Sequence, residues 1–133
     1  MRIGYNKFNT LESYPNVTIL HDVKNISEHM LEADIIFTSA GRTVYEVASL
    51  GIPCIVLAQN SRELTHYFAS SENGFVNLGL GTKNNSVEIL TAFENLVVDS
   101  QKRNNASNLM SKTDFMNGRK TVINLIKNEI EKI

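Results

Sequence analysis

The run from Ala33 to Pro53, ADIIFTSAGRTVYEVASLGIP, constrains the fold more than any other part of the chain. Asp34–Phe37 is nearly continuous in apolar residues, as in a parallel strand covered on both faces. Ser39, Ala40 and Gly41 follow as a small-residue turn. Val44, Val47, Ala48 and Gly51 then fall at helical spacing, which predicts a helix from Gly41 to Leu50. Gly51 closes that helix and Pro53 prevents its continuation. Cys54–Leu57 reads as the next strand. A bare turn between strand and helix leaves the N–H groups of the first helical turn open to an anion. Glu46 sits about 7.5 Å further along the helix axis from Gly41. That separation suits a nucleotide, with a diphosphate at the helix start and ribose hydroxyls on the carboxylate.

The rest of the chain repeats the alternation. Arg2–Tyr5 is a short strand candidate. Val17–Leu20 is β-branched and apolar, which predicts a strand. Asn25 or Ser27 can cap a short helix ending near Ala33. Ser61 can cap a helix through Ala69, and Asn73-Gly74 ends that unit. Phe75–Leu78 reads as a strand and Gly79-Leu80-Gly81 as a turn. Ser86 precedes an amphipathic helix carrying Val87, Leu90, Phe93 and Val97. A polar helix is expected over 100–113. After Asn117-Gly118, a last helix carries Val122, Ile123, Ile126, Ile130 and Ile133 on one side. Strands alternating with helices predict a single α/β domain over 1–133, a doubly wound parallel sheet with a helical C-terminal cap. Ligands of such sheets sit beyond the carboxyl ends of the strands. The turns at 38–41, 58–61 and 79–81 share that edge.

Composition narrows the function classes. The chain has 133 residues, 42% hydrophobic and 20% charged, with a net charge of −1. That balance is globular, and no basic field points to nucleic acid. No apolar run is long enough to span a bilayer. One cysteine, Cys54, excludes an internal disulfide and fits a reducing, cytoplasmic setting. It lies in an apolar run and reads as a core residue. His21, His29 and His66 have no metal-ligand spacing, so no metal site or resident cofactor is expected. Ser39 has no identifiable base, and no catalytic set can be assigned from spacing.

Three segments carry a family resemblance: Tyr14–Ile19, SAGRTVYEVASLGIP, and HYFASSENGFVNLGLG. Together they resemble the C-terminal, Rossmann-like domain of GT-B nucleotide-sugar enzymes. The chain is most similar to the UDP-sugar hydrolase of the pseudaminic acid pathway with the related spore-coat polysaccharide proteins, and to the similar domain fused to CMP-sialic-acid-type cytidylyltransferases. The chain also resembles, less closely, the GlcNAc transferase of peptidoglycan synthesis. The resemblance runs from about Tyr14 to Gly81 and is weaker through the later helices. It implies that Ser39, Ala40 and Gly41 contact a donor diphosphate, with Arg42 and Thr43 beside them. Glu46 would hold the ribose hydroxyls. The segment Gln59-Asn60-Ser61-Arg62-Glu63 would face the sugar, with Gln59-Asn60 partly matching the usual polar pair and His66 offset from that pair by about two helical turns. The implied ligand is a UDP-sugar or related nucleotide.

Two departures matter. Arg42 stands where relatives often carry a second glycine, so it either clamps a phosphate or crowds the turn. A GT-B active site also lies between two domains, and catalytic bases commonly come from the N-terminal one. Against that pattern the chain reads as a half that lacks its first strand–helix unit. The expectation is that an N-terminal GT-B domain, a partner subunit or a homodimer contact completes it. Two functions follow. One is the nucleotide-sugar-binding half of a glycosyltransferase-like enzyme or UDP-sugar hydrolase in surface polysaccharide or nonulosonic acid biosynthesis. The other is a non-catalytic assembly or regulatory domain beside a CMP-sugar cytidylyltransferase.

Overall fold

The computed structural model describes residues 11–83 and 86–132. The strand expected over Arg2–Tyr5 lies outside the described residues. Among the described residues, three strands form a parallel sheet: β1 (Ile36–Thr38), β2 (Cys54–Ala58) and β3 (Phe75–Leu80), in the order β1-β2-β3. Among the described residues, five α-helices accompany them: α1 (Ile26–Leu31), α2 (Thr43–Leu50), α3 (Ser86–Val98), α4 (Ser100–Met110) and α5 (Gly118–Ile130).

Register explains the layering. Ile36, Cys54 and Phe75 form one cross-strand row, and Phe37, Ile55 and Val76 form the next. Successive rows point to opposite faces. The first row joins Val44, Val47 and Ala48 of α2 and Met110 of α4 in the main core. In the second row, Phe37 meets Phe93 of α3, with ring centroids 5.6 Å apart. Helices therefore cover both faces, as an α/β parallel sheet requires. Central strand β2 is sealed on both sides: Cys54, Ile55 and Val56 are fully buried. This is why its sequence is an unbroken apolar run.

Helix α2 forms as its pattern predicts, two residues late at its start. Val44, Val47 and Ala48 are its buried face. Burying each valine contributes roughly 1.5–3 kcal/mol. Its end is a left-handed cap: Gly51 has φ 68°, its N–H donates to the Ala48 carbonyl, and the Ile52 N–H donates to Val47. Only glycine takes that conformation without steric cost.

Five expectations are corrected. Val17–Leu20 is not a strand. Val17 and Leu20 are exposed, and no described strand pairs with the segment. β-branched residues favour a strand only where a neighbour supplies the ladder. The helix expected from Ser61 to Ala69 is a single 3₁₀ turn, Glu63–Thr65. The Asn60 side chain caps it by accepting from the N–H groups of Arg62 and Glu63, and the chain leaves helical dihedrals at His66. Gly79 and Leu80 belong to β3 rather than to a free turn. The register shift between Val56 and Ala58 absorbs Gly79, whose N–H donates to Asn77 Oδ1. The helical cap is only half present. Helix α4 buries Ala106 and Met110, whereas α5 buries nothing, and Val122, Ile123, Ile126 and Ile130 are all exposed. Helix α3 also packs on a face rotated from the stripe read in sequence: Phe93 and Leu96 face the sheet, and Val87, Leu90 and Val97 face outward.

Candidate functional site

The parallel register places Thr38, Ala58 and Leu80, the carboxyl ends of the three strands, along one edge of the sheet. The Ser39-Ala40-Gly41 turn leaves β1 there. Ala40 is buried, while Ser39 and Gly41 are half-buried and Arg42 is exposed. Arg42 already has helical dihedrals, and its carbonyl accepts from the Tyr45 N–H at 3.0 Å. The N–H groups of Gly41, Arg42 and Thr43 donate to no backbone carbonyl among the described residues. Unpaired N–H groups at the start of a helix carry its positive dipole end.

One long-range contact joins the second strand end to this turn. His66 Nδ1 lies 2.6 Å from the Ala40 carbonyl oxygen, across 26 positions of sequence. The carbonyl only accepts, so Nδ1 carries the proton. The segment that carries His66 is itself fastened. Glu63 Oε2 accepts from the Gln59 N–H at 2.9 Å, and Asn60 caps the turn that precedes His66. Phe68 stacks on Tyr45 of α2 at 4.6 Å and meets Phe75 and Phe115 edge-on. Asn73 and Asn77 donate from their side-chain amides to the carbonyls of Phe68 and Ala69.

The sequence-selected residues thus divide. Ser39, Ala40, Gly41, Arg42, Thr43 and His66 are brought together at the strand carboxyl edge. Gln59 and Asn60 leave β2 at the same edge. The Asn60 side-chain oxygen is committed to its own turn, which leaves only its amide group for a ligand. Glu46 lies in the first turn of α2 and is exposed. Among the described residues neither Arg42 nor Glu46 is in an ion pair. Two further residues organise the site: Glu63, which the resemblance places only in a sugar-facing segment and which here fastens the Gln59 N–H, and Phe68, which the sequence reading did not select. The signal for Glu63 was present: Asn60-Ser61-Arg62-Glu63 is a capping-box spacing. Nothing local distinguished Phe68 from any other half-buried aromatic.

The edge is open. His66 lines a depression of about 300 Å³ with Tyr67, Ser70 and Asn77. Thr43 lines another of about 310 Å³ with Thr38, His29 and Met30. A larger concavity of about 690 Å³ lies elsewhere, between β3 and α3 against Val76, Leu78 and Leu96, and contains none of the selected residues. No group of His, Cys, Asp and Glu among the described residues is arranged to hold a metal ion. No described helix is long and apolar enough to cross a membrane. Cys54 is sealed in β2, where burial pushes its thiol up to about 12. It is a core residue and no nucleophile.

Fold and edge together define a parallel-sheet α/β protein of Rossmann-like type, with free N–H groups, Arg42 and His66 at the strand carboxyl ends. No family model and no solved structure matches the chain. It is 36% identical over 63 residues, 47% of its length, to an uncharacterized protein of Methanocaldococcus jannaschii. The matched segment covers 12% of that protein.

Proposed function

We propose that the chain is the nucleotide-binding half of an enzyme acting on an activated sugar, a UDP-sugar hydrolase or a glycosyltransferase-like protein of surface polysaccharide or nonulosonic acid synthesis. The observation that carries this reading is the meeting of the Ser39–Gly41 turn, the free start of α2 and His66 at one strand edge. The sugar-nucleotide identity comes from the resemblance of SAGRTVYEVASLGIP and HYFASSENGFVNLGLG to the GT-B C-terminal domain.

In this reading the turn and the Arg42 guanidinium receive the diphosphate, and Glu46 accepts from the ribose hydroxyls. Displacement at the anomeric or phosphorus centre leaves negative charge on the departing nucleotide. Fixed N–H donors at the start of α2 stabilise that charge without reorganising. The base that activates water or an acceptor comes from a second domain or subunit. The open edge fits such a partner, which would close the site over the nucleotide.

A second reading has its own observation. The apolar side chains of α5 are exposed along its length, which suits an assembly or regulatory domain beside a cytidylyltransferase. Titration of isotopically labelled protein with UDP, CDP and CMP separates the two. Saturable amide shifts at 39–43 and at Glu46 with UDP support the first reading. A preference for a cytidine nucleotide supports the second. No shift at millimolar ligand removes the nucleotide site from this chain.

A further inference from the structure

We propose that His66 is the positioning residue of the Ser39-Ala40-Gly41 turn: its Nδ1–H holds the Ala40 carbonyl and thereby sets the direction in which the Gly41 N–H is presented. A peptide unit is planar, and in a trans unit the C=O and N–H point opposite ways. The chain has no cis peptide bond among the described residues. The Ala40 carbonyl and the Gly41 N–H are two ends of one such plane. Fixing the carbonyl by a 2.6 Å hydrogen bond to His66 therefore aims the N–H away from the ring.

Among the described residues the Ala40 carbonyl has no other hydrogen-bond donor. A β-carbon on Gly41 would touch only Ser39 Oγ, at 3.4 Å, so no neighbour packs closely on that side of the residue. The Gly41 N–H donates to no backbone carbonyl among the described residues. The backbone that carries the ring is anchored on both sides. The 3₁₀ turn Glu63–Thr65 precedes it and the His66 N–H closes that turn onto the Glu63 carbonyl at 3.1 Å. Two residues later Phe68 stacks on Tyr45. Tyr45 belongs to the helix that the Gly41 turn opens, so a closed circuit of contacts runs from α2 through Phe68 and His66 to Ala40. A donor held in place this way loses little freedom when an anion arrives. That the anion is the diphosphate of a nucleotide rests on the reading above; the clamp itself does not.

The test compares His66→Leu, His66→Asn and His66→Gln. Asparagine places an amide donor on the same γ-carbon branch as Nδ1, whereas glutamine places it one bond further out. Long-range proton–nitrogen correlation at a pH where the ring is neutral reads the tautomer. Backbone spectra read the Gly41 and Arg42 amides, and a UDP titration reads affinity. The expected result is a single Nδ1–H tautomer in the parent. The Gly41 and Arg42 amide resonances move in the leucine variant and return in the asparagine variant. UDP affinity falls about fivefold to tenfold in the leucine variant, as loss of one well-placed hydrogen bond implies, and recovers with asparagine. An Nε2–H tautomer in the parent, or a leucine variant with unchanged Gly41 amide, overturns the proposal. Where the leucine variant does not fold, the Asn and Gln pair decides: equal Gly41 shifts in both overturn it. Expected tautomer and amide shifts in a parent that binds no UDP leave the clamp standing and remove the nucleotide reading.

Discussion

Gly74 lies so close to Ala106 that a β-carbon at position 74 would sit 2.4 Å from the Ala106 carbonyl oxygen. Gly74 ends the 3₁₀ turn Ser71–Asn73 with φ 89° and leads directly into β3. The contact is with helix α4, which thereby seats against the start of the edge strand.

Gly74→Ala meets two costs at once, a left-handed backbone and a backbone clash that no side-chain rotation relieves. The expected destabilisation is about 2–4 kcal/mol, combining the positive-φ penalty with overpacking. Urea unfolding monitored by circular dichroism measures it. A loss below about 1 kcal/mol would mean that α4 sits further from β3 than described.

Glu46→Ala removes a carboxylate that is in no ion pair among the described residues. The folded state should be nearly indifferent, because surface changes of this kind usually stay within about 0.5 kcal/mol. Under the nucleotide reading, UDP affinity falls by about 1–3 kcal/mol, the scale of hydrogen bonds to a charged group. Calorimetric titration of parent and variant measures the difference, and equal affinities would remove Glu46 from the ribose site.

Cys54 should resist thiol reagents as long as the sheet is intact. Its side chain is fully buried, and its thiol is raised to about 12, so almost none is thiolate at neutral pH. Labelling in native buffer should be slow and should become rapid and stoichiometric across the urea transition. Prompt labelling of the native protein would contradict the burial of β2.

Asp114 governs the entry to α5. Its carboxylate accepts from the Asn117 side chain at 2.9 Å, and from the Asn117 and Met116 backbone N–H groups at 3.1 Å each. The Asn117 side-chain bond, then the Asn117 and Met116 backbone bonds, hold its carboxyl below the ordinary carboxylate value. A lowered folded-state value gives a stabilisation that is present above the unfolded value of about 3.9 and is lost as pH falls through the folded one. The Met116 and Asn117 amide resonances should therefore titrate below the usual carboxylate range, and Asp114→Asn should abolish that titration. Amides that move instead near neutral pH would point to another group.

How far the sequence could be read differs from element to element. Helix α2 and strand β2 were legible because their signals are local: apolar spacing, a terminating glycine, and Pro53. The strand ends that make the candidate edge followed from the alternation of strands and helices. Val17–Leu20 misled because strand propensity says nothing about whether a neighbour exists. The segment after Ser61 misled because one side chain, Asn60, captures two backbone donors and closes a 3₁₀ turn where a helix was expected. His66 was selected through the family resemblance, and its partner, the Ala40 carbonyl, carries no sequence mark.

By itself, then, the order of residues determined the alternation of apolar strand and helix signals, the small-residue turn Ser39-Ala40-Gly41 and the stop at Gly51, since each depends on near neighbours along the chain. Tertiary structure decided which groups meet. It brought His66 to Ala40 and Phe68 to Tyr45, seated Gly74 against Ala106, and left the apolar side chains of α5 in solvent. The physical reason is the reach of the forces: helix spacing and capping act over a few residues, while burial and side-chain pairing depend on which surfaces the completed sheet leaves facing one another.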